Sequence, residues 1–321
     1  MRVLYIGSGG IGLPALESLL DPVSGHELVG VVAQPDKPAG RRQELTPPPT
    51  KVLAAAHGIP VFQPRRIREP GALEPLAALK PEVIVVMAYG QILPKALLEL
   101  PTRACLNLHA SLLPIHRGAA PIQADLLTGQ KASGITVIWM DEGLDTGDIL
   151  LARPLPIRRR ETGGSLHDRL ALLAPEALRE ALERLERGTA PRIPQDGSRA
   201  TYAPKLTRES GHIDWTRPAG ELERLVRAMN PWPAASTLLP DGRRLKVFSV
   251  IWHRHPLPPG TRPGSILRAD ERGLLVAAGE GALLLRDVQP EGKRRMAAGD
   301  FLRGNPLAVG AALGGEPRTG P

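Results

Sequence analysis

Ala104-Cys-Leu-Asn-Leu-His109 reads as a buried strand that carries two polar side chains. Strand alternation puts Asn107 and His109 on one face and Leu106 and Leu108 on the other, so one face is apolar and the other can do chemistry. In the run that follows, Ser111-Leu-Leu-Pro-Ile-His-Arg-Gly-Ala-Ala-Pro121, Pro114 and Gly118 break regular structure before Pro121 opens a short helix. Gly134-Ile-Thr-Val-Ile-Trp-Met140 is a β-branched strand, and Asp141-Glu-Gly-Leu-Asp-Thr-Gly-Asp148 is too rich in Asp and Gly to continue it. Asp145 is therefore expected on a loop at a strand end. In an open α/β sheet ligands bind beyond strand ends, so Asn107, His109 and Asp145 are expected to converge there. Such a trio suits acyl chemistry: a histidine moves protons near neutral pH, a carboxylate orients it and stabilises its charged form, and an asparagine donates to an oxyanion.

Working outward, Arg2-Val-Leu-Tyr-Ile6 and Glu82-Val-Ile-Val-Val-Met-Ala-Tyr-Gly90 are short apolar runs of the kind a parallel sheet buries on both faces. Between them lie a helix to Leu20, a strand over residues 27–33, a helix over 51–57, the strand Val61-Phe62 and a polar helical stretch ending near Lys80. This alternation predicts an α/β fold: a doubly wound, mostly parallel, Rossmann-like sheet with right-handed crossovers. Residues 149–157 extend the sheet, and a helix is expected over 165–187 with Ser165 as its N-cap and Leu166, Leu170 and Leu173 in the core. Residues 35–51, PDKPAGRRQELTPPPTK, read as an exposed loop. Gly7-Ser-Gly-Gly-Ile-Gly12 is a literal G-x-G-x-x-G, with Asp36 where an acidic ribose ligand would stand. It admits a nicotinamide-dependent dehydrogenase, but a tight turn with close helix packing accounts for it equally.

Proline and glycine crowd residues 188–211, which places a linker at 190–211 between a first domain, 1–189, and a second, 212–321. In the second the period changes to two. Strands are expected over 235–239, 244–252, 265–268, 273–278 and 282–288, enough for a small β-barrel of the oligonucleotide-binding (OB-like) type. The tail from Gly304 has few apolar anchors. Residues 201–321 hold 18 Lys/Arg against 12 Asp/Glu, so +6 of the total +8 lies there and a polyanionic partner is expected on that domain. Arg243, Arg244, Lys246, Arg254, Arg286, Lys293, Arg294 and Arg295 are its candidate phosphate contacts. One cysteine, Cys105, excludes an intrachain disulfide, and no Cys/His cluster has zinc spacing, so no metal is expected. With neither a signal-like N-terminus nor an apolar run of about 20 residues, a cytoplasmic protein without membrane contact is expected, acting as a monomer.

Asn107-Leu-His109, Ser111-Leu-Leu-Pro114, Arg117-Gly-Ala-Ala-Pro-Ile-Gln123 and Asp141-Glu-Gly-Leu-Asp-Thr-Gly-Asp148, in this order and spacing, resemble the 10-formyltetrahydrofolate-dependent formyltransferases. Ala200-Thr-Tyr-Ala-Pro-Lys-Leu206, Ile213-Asp-Trp215 and Asn230-Pro-Trp-Pro233 extend the resemblance over most of the chain, and the Pro38-Ala-Gly-Arg41 loop with the C-terminal excess of base favours the branch that acts on methionyl-initiator tRNA. It implies that Asn107, His109 and Asp145 are catalytic. It implies further that Ser111, Leu112, Leu113 and Pro114, with Ala88, Tyr89, Gly90, Asp141 and Gly143, hold the folate that donates the formyl group. The loop with Arg41 and Arg42 would meet the acceptor end of the tRNA, with Lys205, Arg244, Lys246, Lys293, Arg294 and Arg295 binding it elsewhere. His116 is a departure, since the family usually has an aromatic residue before the Arg-Gly. Two other readings stay open: formylation of an amino-sugar nucleotide, and a non-catalytic tRNA-binding protein.

Overall fold

The computed structural model describes residues 1–39, 43–69, 71–253 and 257–314. It divides into two compact units. The first comprises Met1–Pro121, Ala132–Ile157 and His167–Pro204; the second comprises Ile122–Lys131, Arg158–Leu166 and Lys205–Pro321.

In chain order the first unit opens with β1 (Arg2–Gly7), α1 (Leu13–Leu20) and β2 (Glu27–Val32). A short ladder of β3 (Lys37–Ala39) and β4 (Glu44–Thr46) precedes α2 (Pro49–Ala56), β5 (Val61–Phe62), α3 (Glu74–Ala78), β6 (Val83–Met87), α4 (Lys95–Leu98) and β7 (Ala104–His109). After β8 (Arg117–Gly118) come α5 (Pro121–Leu127), which from Ile122 belongs to the second unit, then β9 (Ala132–Trp139), β10 (Ile149–Pro156), α6 (Gly163–Glu186), which belongs to the first unit from His167, and β11 (Tyr202–Ala203). The central sheet has the order β10-β9-β7-β6-β1-β2-β5. Pairings from β5 to β7 are parallel, as the continuous apolar strands require, whereas β9 runs antiparallel to both β7 and β10. The mostly parallel, doubly wound α/β architecture is as expected.

Several local expectations are corrected. Residues 35–51 are not a plain loop: β3 pairs antiparallel with β4, and α2 begins at Pro49. Pro38 is tolerated because a two-stranded ladder leaves each strand a free edge, and a proline in the first turn of α2 forfeits no helical hydrogen bond. The cap of α6 is Thr162, not Ser165. Thr162 Oγ1 accepts from the Ser165 amide at 3.1 Å and Ser165 Oγ accepts from the Thr162 amide at 2.9 Å, a reciprocal box with Ser165 in the third position. Leu166 and Leu170 are buried as expected, but Leu173 is half-buried and small residues, Ala174, Ala177 and Ala181, continue the buried stripe.

The glycine turn after β1 is filled from within. Tyr5 is fully buried, its hydroxyl donates to the Gly12 carbonyl at 3.0 Å, and a Cβ on Gly12 would fall on that hydroxyl. The amides of Ser8 and Gly9 donate to the Ala88 carbonyl, each at 3.2 Å, so these turn amides bind the protein's own backbone. Asp36 accepts from Gln63 at 2.7 Å and from Lys51 at 2.9 Å, and these bonds, Gln63 foremost, lower its pKa. Both features that suggested a dinucleotide site thus have internal partners, and the close-packing reading of this turn prevails.

The second unit contains α7 (Ala219–Ala228) and the strands β12 (Ala235–Leu238), β13 (Arg244–His253), β14 (Ile266–Asp270), β15 (Gly273–Ala277), β16 (Ala282–Pro290) and β17 (Met296–Ala297), closed by α8 (Ala298–Gly304). All strand pairings are antiparallel in the order β12-β13-β16-β15-β14, with β17 on β16. Ile213, Trp215, Leu222, Val226, Leu245, Val247, Leu283, Leu285 and Phe301 lie in its core. Residues after Gly304 are anchored to residue 314: the Ile266 amide donates to Ala311, Gly314 donates to Leu238, and Leu313 is buried. Arg41, Arg42 and Arg254 lie outside the described residues, as does the tail from 315.

Candidate active site

Pairing direction decides how the site is built. Because β9 is antiparallel to β7, it ends beside the beginning of β7, with the Met140 amide on the Cys105 carbonyl at 2.8 Å. The Asp-rich loop therefore starts at the edge opposite His109 and runs back over one face of β7. That face carries Cys105, Asn107 and His109 in succession. Met140 Sδ lies 3.8 Å from Cys105 Sγ, and Asp145 reaches both polar residues. The three expected residues do meet, but across the strand face rather than at a shared strand end.

Asp145 Oδ1 accepts from Asn107 Nδ2 at 3.2 Å, and Oδ2 accepts from the Gly118 amide at 2.8 Å. Oδ2 also lies 3.5 Å from His109 Nδ1. The histidine is 6% exposed, so its ring is fixed by protein rather than by water. Its Nε2 is 2.9 Å from the His116 carbonyl. A carbonyl only accepts, so Nε2 carries the proton and Nδ1, on the Asp145 side, is the nitrogen that gains or loses one. Orientation of the ring, expected from Asp145, is thus supplied largely by the backbone of His116.

Two non-glycine residues in this cluster have left-handed backbones, Asp145 at φ 54° and His116 at φ 62°. Such conformations persist only when surrounding contacts over-determine them. His116 is held by Thr201, whose hydroxyl accepts from its amide at 2.9 Å and lies 3.1 Å from its ring Nδ1. Burial first, and the neighbouring His109 ring second, hold the His116 imidazole below the ordinary histidine pKa. The backbone at Asp145 is held by Gln195, whose Nε2 donates to the carbonyls of Asp145 at 2.9 Å and Gly147 at 2.7 Å. Gln195 Oε1 in turn accepts from Nε and Nη2 of the buried Arg117, at 3.1 and 2.8 Å. Sequence reasoning gave neither residue a role: Gln195 stands in a proline-rich stretch without periodicity, and Thr201 lies in the Ala200–Leu206 segment that carries the resemblance but has no function assigned there.

The Ser111–Pro114 turn is built into the sheet. Thr136 Oγ1 donates to the Ser111 carbonyl at 2.6 Å and accepts from the Leu113 amide at 3.1 Å, while Ser111 Oγ donates to the Ile115 carbonyl at 2.6 Å. The Ser111 hydroxyl is therefore committed, and Leu112 and Pro114 are the more open members of the turn. At the end of β6, Ala88 and Gly90 are exposed, whereas Tyr89 is buried and burial pushes its phenol up to about 12. Asp141 folds its carboxylate onto the Gly143 amide at 3.0 Å and the Thr146 hydroxyl at 2.7 Å, a staple within the loop. Lys95 at the start of α4 lies 3.9 Å from Glu142, so the segment after β6 borders the Asp-rich loop. Exposed Ile92 and Leu144 add apolar surface to these two segments. Open backbone and apolar side chains of this kind fit a flat heterocycle. Burial pushes the Cys105 thiol up to about 12, so it remains protonated and is no nucleophile.

A model of formyl transferases matches residues 1–182, and one of the formyl transferase C-terminal domain matches residues 205–306. The chain belongs to the formyl transferase family. A methionyl-tRNA formyltransferase of Methylacidiphilum infernorum is 48% identical, with 98% of each chain covered. Among solved structures, a sugar 3N-formyl transferase has a TM-score of 0.65 at 15% identity, covering 92% of this chain and 99% of that one. A methionyl-tRNA formyltransferase from Clostridium thermocellum has a TM-score of 0.54 at 18% identity, covering 81% and 95%. These two structures speak to the formyl transferase fold alone and do not separate acceptors.

In the second unit, Arg244 and Lys246 alternate with buried Leu245 and Val247 on β13, so both point outward. Lys246 pairs with Gln289, whose amide donates to the Lys293 carbonyl at 2.8 Å, which brings Lys293 and the adjacent Arg294 to the same end of the sheet. Arg295 differs: it pairs with Asp287 at 2.6 Å and lies over the Phe248 ring at 4.7 Å. Arg243 is paired with Asp241 at 2.7 Å. Lys205 and Arg286 are exposed. Among the described residues no helix is long and apolar enough to cross a membrane, and no group of three His, Cys, Asp or Glu side chains is placed to hold a metal ion.

Proposed function

We propose that this chain is a methionyl-tRNA formyltransferase, a monomeric cytoplasmic enzyme that moves a formyl group to the α-amine of methionine on initiator tRNA. Near-full-length identity of 48% to a methionyl-tRNA formyltransferase carries this reading. 10-Formyltetrahydrofolate supplies the formyl group. Ala88 to Gly90, Ser111 to Pro114, Asp141 and Gly143 form its site, mostly through backbone and apolar contacts. No metal takes part.

Formyl transfer between two nitrogens builds negative charge on the formyl oxygen, removes a proton from the attacking amine and requires one at the departing nitrogen. Asn107 has two amide hydrogens. One is engaged by Asp145, and the other serves the oxyanion. His109, anchored through Nε2, takes the amine proton at Nδ1, where Asp145 stabilises the imidazolium, and returns it to the leaving nitrogen.

Residues 1–189 carry the catalytic trio and 212–321 the tRNA-binding part; of the 190–211 stretch between them, the residues to Pro204 pack with the first unit. Arg41 and Arg42 guide the acceptor end. Lys205, Arg244, Lys246, Lys293 and Arg294 meet phosphates, with Arg295 a weaker contributor because its charge is already paired. The test is single-turnover transfer from 10-formyltetrahydrofolate to methionyl-tRNA. Wild type should yield N-formylmethionyl-tRNA, and His109→Ala should bind the donor as before while transferring at least ~100-fold more slowly. Undiminished transfer by His109→Ala would remove the catalytic assignment.

A further inference from the structure

Both strained residues of the catalytic cluster are pinned by one segment. Gln195 uses both amide hydrogens on the Asp145 and Gly147 carbonyls, and Thr201 holds the amide of His116, whose carbonyl anchors His109. The segment is itself stitched to the first unit. Ile193 exchanges backbone hydrogen bonds with Ile149 at 2.8 and 3.0 Å, Trp139 Nε1 donates to the Pro191 carbonyl at 2.8 Å, and the Arg192 guanidinium lies 3.9 Å over the Trp139 ring. At its other end β11 pairs with β8, and the Arg117 and Ala119 amides donate to the Thr201 and Ala203 carbonyls, both at 2.9 Å.

We infer that Gln195 and Thr201 are positioning residues for the transfer: Gln195 sets the backbone from which Asp145 faces His109, and Thr201 sets the His116 carbonyl that fixes the proton-bearing nitrogen of His109. The physical reason lies in the strain. A left-handed Asp or His relaxes toward ordinary backbone angles when its tethers are cut, and relaxation carries the Asp145 carboxylate away from Asn107, Gly118 and His109 together. Neither Gln195 nor Thr201 needs to touch a substrate to control the rate, because displacement of a catalytic group by ~1 Å can cost ~100-fold. The inference rests on the catalytic reading of His109 and Asp145.

Gln195→Glu is the informative substitution. It keeps shape and the partner for Arg117, but sets a carboxylate oxygen against two carbonyls in place of a donor. Thr201→Val removes the hydroxyl at constant volume, and Thr201→Ser retains it. Steady-state and single-turnover formylation would be measured for these three and for Asp145→Asn, together with thermal midpoints. Gln195→Glu and Thr201→Val should lower kcat ~10- to 100-fold with KM for both substrates within ~3-fold of wild type and melting nearly unchanged, while Thr201→Ser stays close to wild type. If both slow variants keep wild-type kcat while Asp145→Asn is impaired, positioning is refuted and the catalytic reading stands. If Asp145→Asn also keeps its rate, both fall together. A matched loss of kcat, substrate affinity and melting temperature, or a Thr201→Ser as slow as Thr201→Val, would mean a general structural role and overturn the inference.

Discussion

Replacing Asp145 by Asn preserves shape and removes one charge, so its effect can be worked from the distances around the carboxylate. Oδ1 and Oδ2 accept from Asn107 and Gly118, and Oδ2 lies 3.5 Å from His109 Nδ1. An amide retains one acceptor. With that oxygen on the Gly118 amide, its NH2 faces the NH2 of Asn107, which must rotate its own amide to avoid a donor–donor contact and so turns its second N–H away from the oxyanion. Loss of charge matters more. At 3.5 Å and an effective dielectric constant of about 20, carboxylate and imidazolium attract by about 5 kcal/mol. The side chain of Asp145 is 14% exposed, so water recovers part of this, and about 3 to 4 kcal/mol is left to raise the barrier to the step that charges His109. That corresponds to a ~100- to 1,000-fold slower transfer, since each ~1.4 kcal/mol is tenfold. The assay is rapid-quench single turnover at saturating donor and methionyl-tRNA, with circular dichroism to verify the fold. A rate within a few-fold of wild type would refute the reasoning, because no charged partner for His109 would then be needed.

His116 makes stability depend on pH. Its folded pKa lies below the ordinary 6.5, so between the two values the unfolded chain binds more protons, and its contribution, complete above 6.5, is lost as pH falls through the folded value. Urea midpoints of wild type should accordingly drop, as pH falls below 6.5, more steeply than those of His116→Asn, a residue that tolerates the left-handed backbone; parallel curves would contradict this. For tRNA binding, neutralising Arg244, Lys246, Lys293 and Arg294 together should weaken affinity and flatten the log-log salt dependence by up to about one unit for each phosphate no longer neutralised. Arg295→Ala alone should change the slope little, and binding measured across a salt series separates the two outcomes.

Much of the catalytic face was legible because strand periodicity is local. Alternation in Ala104–His109 fixes which side chains share a face, and the Asp-Gly run after Trp139 announces a loop. What was not legible depends on pairing at a distance. No local pattern distinguishes an antiparallel β9 from a parallel one, so the route of the Asp-rich loop back across β7 was hidden although its residues were known. Gln195 and Thr201 are hidden for a related reason: apart from one short helical turn at Gly197–Arg199, their segment bonds to β8, β10 and the Asp-rich loop, and so carries no period. Ser165 is as good a cap as Thr162 by residue type, and only the reciprocal bonds decide between them. The short ladder of β3 and β4 was masked by prolines that a free strand edge tolerates.

The central claim, that Asn107, His109 and Asp145 formylate the amine of methionyl-tRNA, is tested most directly by acceptor choice. Wild-type protein would be supplied with 10-formyltetrahydrofolate and, in parallel, with methionyl-initiator tRNA or an amino-sugar nucleotide, and kcat/KM determined for each by mass spectrometry of the product. The account predicts formylmethionine on the tRNA, with kcat/KM for the sugar nucleotide lower by several powers of ten; efficient formylation of the sugar nucleotide with none on the tRNA would contradict it.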